Sequence, residues 1–181
     1  MYKKYTMQLS TKGIKEMEEI LDRLAKNMDK ASKNIVKDLS DYGLSKMIEI
    51  YNASNFQSVE PMEFNVTGDD YAKTVTMSGT QAIYNEFGTG TEGQMQPHPI
   101  KNNFDLNEYN SGKTIRPANA SVSEKTGIPK GGLYWTYKDA NGEIVYTQGT
   151  PAQGEGYYSL METIKKADEI VKRRVEEALN G

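Results

Sequence analysis

Four places in the chain hold residue types whose chemistry is familiar. Gly88-Thr-Gly90-Thr-Glu-Gly93 satisfies G-x-G-x-x-G on its letters. That fingerprint holds a pyrophosphate only when a buried strand precedes it and a helix N-terminus follows. No unbroken apolar strand precedes Gly88, and Pro97 and Pro99 preclude an immediate helix. The glycines are therefore expected to serve turns that need positive φ. His98, the single histidine, lies between those prolines. A catalytic histidine needs an orienting partner and a nucleophile, and the sequence nominates neither, so His98 reads as an exposed loop residue. Glu86 has the chemistry for half of a carboxylate pair. No second carboxylate is placed to join it, and a backbone-capping or surface role is expected. Asp69-Asp70 reads as a turn pair, since a metal needs several convergent ligands. The expectation is a chain with no catalytic residue, no cofactor and no bound metal.

Composition points the same way. With no cysteine there is no disulfide framework, thiolate site or cysteine nucleophile. The 22 basic and 25 acidic side chains leave a net charge of −3, which argues against a basic footprint for nucleic acid. The opening residues lack the apolar run of a signal peptide, and no window approaches the roughly 18 apolar residues of a membrane span. Twelve tyrosines beside one tryptophan and four phenylalanines suit large, half-wet surfaces.

The elements that must position these residues follow from periodicity. Tyr5, Met7 and Leu9 alternate with polar residues over 5–10, a short strand. Ser10 or Thr11 then caps a helix whose apolar residues recur every three or four positions from Ile14 to Tyr42 and continue through Met47 and Tyr51. Gly43 is placed to bend or divide it. Met62, Phe64 and Val66, then Tyr71, Lys73, Val75 and Met77, flank Thr67-Gly-Asp-Asp70 as a hairpin. Residues 88–130 are rich in glycine and proline and read as a long inserted loop. Leu133–Lys138 and Glu143–Thr147 flank a loop ending in Asn141-Gly142, a second hairpin. A C-terminal helix is expected from about Tyr157 to Leu179, its core face made by Leu160, Ile164, Ala167, Val171, Val175 and Ala178. Without βαβ alternation the class is α+β: one domain, 1–181, with an antiparallel sheet of two hairpins plus the N-terminal strand, packed against the long N-terminal helix and the C-terminal helix.

Aromatic residues crowd the second hairpin. Tyr134 and Thr136 share one face of its first strand, Leu133, Trp135 and Tyr137 the other, with Tyr146 and Tyr157-Tyr158 nearby. One face must pack inward. The other is expected to be contact surface, because Tyr, Trp and Met favour protein interfaces.

Ala82-Ile-Tyr-Asn-Glu-Phe-Gly-Thr-Gly90 resembles an A-x-Y-x-E-x-G-T segment of a specific family. These are the minor structural proteins of long-tailed bacteriophages called tail-completion or head–tail joining proteins. They commonly pair that segment with a late G-T-x-x-Q step into a C-terminal helix, here Gly149-Thr-Pro-Ala-Gln153. The order of elements is also similar, although Gly154-Glu-Gly156 replaces the family's frequent proline and aromatic. The resemblance implies a virion neck component, made in the host cytoplasm, that joins or completes the tail as a ring-like homo-oligomer without catalysis. Its implied partners are head-closure, tail-terminator and tail-tube proteins, with DNA passing the lumen unbound and no membrane contact. A ring needs one patch to meet a different patch on its neighbour. Tyr84, Phe87, Gly88, Gly90, Tyr134, Trp135, Tyr137 and Tyr146 are the candidate interface residues. The acidic excess over 53–87, five acids against one lysine, would repel passing phosphate if it lined the lumen. The alternatives are a stand-alone protein- or peptide-binding module and a small hydrolase using Glu86 and a tyrosine.

Overall fold

The computed structural model describes residues 10–54, 61–79, 81–100, 103, 116–138 and 141–180. The strand expected over 5–10 lies, apart from Ser10, outside the described residues. The class is α+β. In chain order the elements are α1 (Thr11–Ala53), β1 (Glu63–Gly68), β2 (Lys73–Ser78), α2 (Ala82–Phe87), α3 (Gly90–Met95), β3 (Arg116–Pro117), α4 (Ala120–Thr126), β4 (Leu133–Lys138), β5 (Ile144–Thr147) and α5 (Glu155–Asn180). The two hairpins form separate small sheets, β1-β2 and β3-β4-β5, rather than one. The fold divides into two compact units. One holds the described residues up to Lys46, Phe64–Thr76 and those from Ser159 onward; the other holds Met47–Glu63 and Met77–Tyr158.

In the first unit, Ser10 caps α1 as expected: its Oγ accepts from Gly13 N at 3.1 Å. The helix runs unbroken through Gly43, which does not divide it. Gly43 instead marks a close approach, where an added Cβ would lie 3.1 Å from Thr163 Oγ1. Asn27 Nδ2 donates to Ala178 O at 3.2 Å, and Asp38 meets Arg173 and Arg174. Rising numbers on α1 thus face falling numbers on α5, so the helices are antiparallel. Arg174 grips Asp38 with two bonds, 2.8 Å from Nε and 3.0 Å from Nη2. That guanidinium holds the Asp38 carboxyl below the usual carboxylate range, with burial opposing and Arg173 assisting.

The face of α5 differs from the expected one. Of the expected residues Ala178 is buried and Ala167 and Val175 are half-buried, but Leu160, Ile164 and Val171 are exposed, while Ser159 and Ile170 are buried instead. Over 159–171 the inward face is thus rotated by one residue, about 100°, and the expected face is regained at Ala178. Thr163 lies at the Gly43 notch and the Arg174 fork grips Asp38, contacts that a row of large aliphatics would not make. On α1, Ala31 and Met47 are buried, but Ile14 and Leu21 are exposed. Ala178 already sits opposite Asn27 and α5 ends at Asn180, so α5 does not reach the first turns of α1.

The β1–β2 turn is built by Asp69, whose Oδ1 accepts from Tyr71 N at 2.8 Å and Ala72 N at 2.9 Å. These amides hold its carboxyl below its ordinary value. Tyr71 then reaches Asp29 on α1 and lies 5.2 Å from the Lys33 ammonium, which also pairs with Asp70 at 3.8 Å. The acidic pair is therefore engaged in turn and helix contacts.

In the second unit, the 88–130 stretch holds α3, β3 and α4, not loop alone. Asn119 Oδ1 caps α4 through Val122 N at 2.9 Å, and Gly127 closes it at φ +74°. Ala118, Val122 and Ile128 from this stretch pack on Tyr134, with Tyr146 beside them. The hairpin register pairs Trp135 with Thr147 and Thr136 with Tyr146. Tyr134 and Tyr146 consequently share a face, their rings 5.7 Å apart.

Candidate functional site

The two segments that carry the family resemblance lie against each other. α2 ends at Gly88, at φ +71°, and the chain passes extended through Thr89 into α3. Thr89 N donates to Thr150 O at 2.7 Å and Thr150 N to Thr89 O at 3.2 Å. The pairing continues on both sides: Glu92 N to Gln148 O at 3.2 Å, Gln153 N to Asn85 O at 2.8 Å, and Gly154 N to Glu86 O at 3.2 Å. The two hydroxyls meet at 3.3 Å, and Thr89 Oγ1 also accepts from Thr150 N. Such main-chain approach leaves no room for side chains. A Cβ on Gly149, at φ +96°, would stand 2.0 Å from Thr89 O; one on Gly88 would stand 2.5 Å from Ala152 N. Gly90 lies under Trp135, where a Cβ would be 2.3 Å from the indole nitrogen. The Gly88 and Gly90 turns do need positive φ, as expected. A short α3 does follow, built on the glycines themselves and ending before Pro97, while the element before Gly88 is a helix. This is not the strand–turn–helix setting of a dinucleotide site.

Below this seam Glu86 spans three partners. Its Oε2 accepts from Gly156 N at 2.8 Å, and its Oε1 accepts from Tyr157 N at 3.0 Å. It thus caps the first turn of α5 from seventy residues away, using the free amides that every helix start presents. The capping role expected of Glu86 is the one it has. Its third partner corrects the expectation for His98, which is only 3% exposed and not a surface residue. His98 Nε2 lies 2.9 Å from Glu86 Oε1, and its Nδ1 accepts from Ile100 N at 3.3 Å. That assignment puts the proton on Nε2, donated to the carboxylate. Phe87 and Tyr157 enclose the imidazole at 4.8 and 5.2 Å between ring centres.

A second carboxylate is present after all. Glu155, the first residue of α5, is 0% exposed. Neither of its oxygens has a partner among the described residues beyond its own main-chain N–H. Burial pushes its carboxyl up to about 7, its own N–H pulls it part of the way back, and the Glu86 charge adds to the rise. Asn85 Nδ2 is likewise buried without a partner among the described residues. Glu155 escaped the sequence reading because the helix was expected to start at Tyr157, leaving Gly154-Glu-Gly156 as loop. An acidic residue between two glycines before a helical period was the available signal. Among the described residues no group of three or more His, Asp or Glu side chains is placed to hold a metal ion.

Of the expected contact residues, Phe87, Gly88, Tyr134 and Trp135 are buried inside their own unit. Tyr84, Gly90 and Tyr146 are half-buried, and Tyr137 sits opposite Val145 in the β4–β5 register. The seam and the α4 core thus gather most of these residues for internal packing. The large apolar side chains open to solvent lie elsewhere: Leu133 and Ile144 on the hairpin, Met95 on α3, and Leu160, Ile164 and Val171 on α5.

No family model, no curated protein and no solved structure matches this chain. No helix among the described residues is long and apolar enough to cross a membrane.

Proposed function

We propose that the chain is a structural part of the neck of a long-tailed bacteriophage, joining or completing the tail as a ring-like homo-oligomer and working by fit rather than catalysis. The observation that supports this reading is the Thr89–Thr150 seam. The two segments resembling the tail-completion family, sixty residues apart, make one backbone-bonded unit that ends in the capped start of α5. A shared motif pair with a joint structural task is better evidence of kinship than either motif alone. The reading does not use the buried aromatics as interface. It places contact on the exposed apolar residues of α5 and the hairpin, since a ring joins unlike patches. The neighbours are head-closure, tail-terminator and tail-tube proteins, and the site of action is the virion. Mass photometry of the purified chain, alone and with the products of its neighbouring genes, tests this. A discrete ring, alone or with a tail-terminator partner, is the expected result; a monomer under every mixture contradicts it.

A further inference from the structure

The seam carries a charge arrangement that joining alone does not require. Glu155 is sealed at the first turn of α5 with no acceptor-satisfying donor except its own N–H, and the Glu86 carboxylate faces it from α2. Glu86 is already committed to Gly156 N, Tyr157 N and His98. His98, from the 96–100 loop, donates to Glu86, and Tyr157 packs on the imidazole. The facing stretch 148–154 holds no titratable side chain. Two carboxylates that share a dry site cannot both ionise without cost, and the one lacking donors gives way.

We propose that Glu155 is a proton-operated release for the start of α5: protonated, it leaves Glu86 free to cap the helix, and on losing its proton to solvent it repels Glu86 and opens the cap. The burial that pushes the Glu155 carboxyl up to about 7 sets the opening near neutral pH. Opening frees the Gly156 and Tyr157 amides and unpins His98, so the response is local to the seam. The two sets of donors on Glu86 make it all-or-none, because shifting the carboxylate breaks the cap and the histidine bond together.

The test uses the full chain with side-chain carboxyl-labelled glutamate. NMR titration reads the Glu155 midpoint, and amide exchange corrected for intrinsic pH dependence reads protection at Gly156 and Tyr157. Between about pH 6 and 8.5 the protection of these two amides should fall by about tenfold or more, while Val122 and Ser123 in α4 hold theirs. Glu155→Gln should abolish the fall. Protection that stays constant in the wild-type chain, or a fall shared by α4 or retained in Glu155→Gln, overturns the proposal. Should Glu155→Gln not fold, the wild-type profile decides alone.

Discussion

The helix pair of the first unit and the motif seam of the second are held by different physics. α1 and α5 meet through side chains: Asp38 clamped by Arg174, a notch at Gly43, small residues on α5. The seam is main chain against main chain, with glycines where any Cβ would collide and a carboxylate borrowed to finish a helix. Side-chain contacts bend to substitution because neighbours can shift. Backbone contacts at 2.7–3.2 Å leave nothing to shift. The lesson is that the less periodic half of the chain is the more exacting one.

The largest expected effect is therefore at Gly149. Gly149→Ala combines positive φ with a near-overlap on Thr89 O and should cost about 3 kcal/mol or more, read by denaturant unfolding. Gly127→Ala, at positive φ with open space around it, should cost only about 1 kcal/mol. Equal costs at the two sites would break the comparison. Next is the pH response. The Glu155 carboxyl is raised in the fold above its ordinary 4.5. It therefore contributes stability that is fully present below pH 4.5 and lost as pH rises through about 7. The wild-type chain should lose on the order of 3 kcal/mol across that window relative to Glu155→Gln, measured by unfolding at each pH. In the helix pair, Asp38→Ala should cost about 1 kcal/mol, since the ion pair is partly open to water, and added salt should shrink the difference. Ile164→Lys should be nearly neutral for folding, about 0.5 kcal/mol or less, because the side chain is 57% exposed. Under the proposed ring assembly the substitution would act on assembly alone, and loss of ring formation by an otherwise stable variant would place the contact face on α5.

How far the sequence foretold this follows the same division. The 3.6-residue period found α1 and α5, and alternation with Asn141-Gly142 found the second hairpin. Period alone could not orient α5, because Leu160 and Ile164 look like core until Asp38 and Gly43 are placed opposite Arg174 and Thr163. α4 is too short to show a period and is announced only by Asn119 and Gly127 at its ends. His98 was illegible for a stronger reason: Glu86, Phe87 and Tyr157 enclose it from other elements, and no local pattern encodes that, while Glu155 offered only its place between two glycines before a helical period. Glu86 was readable as a capping residue, though not which helix it caps.

The neck assignment is tested most directly in the genome that encodes the chain. After disruption of its gene and induction, electron microscopy should show DNA-filled heads and free tails that fail to join, with joining restored by the wild-type chain and not by Gly149→Ala. Normal numbers of complete, infectious tailed particles from the disrupted strain would contradict the account.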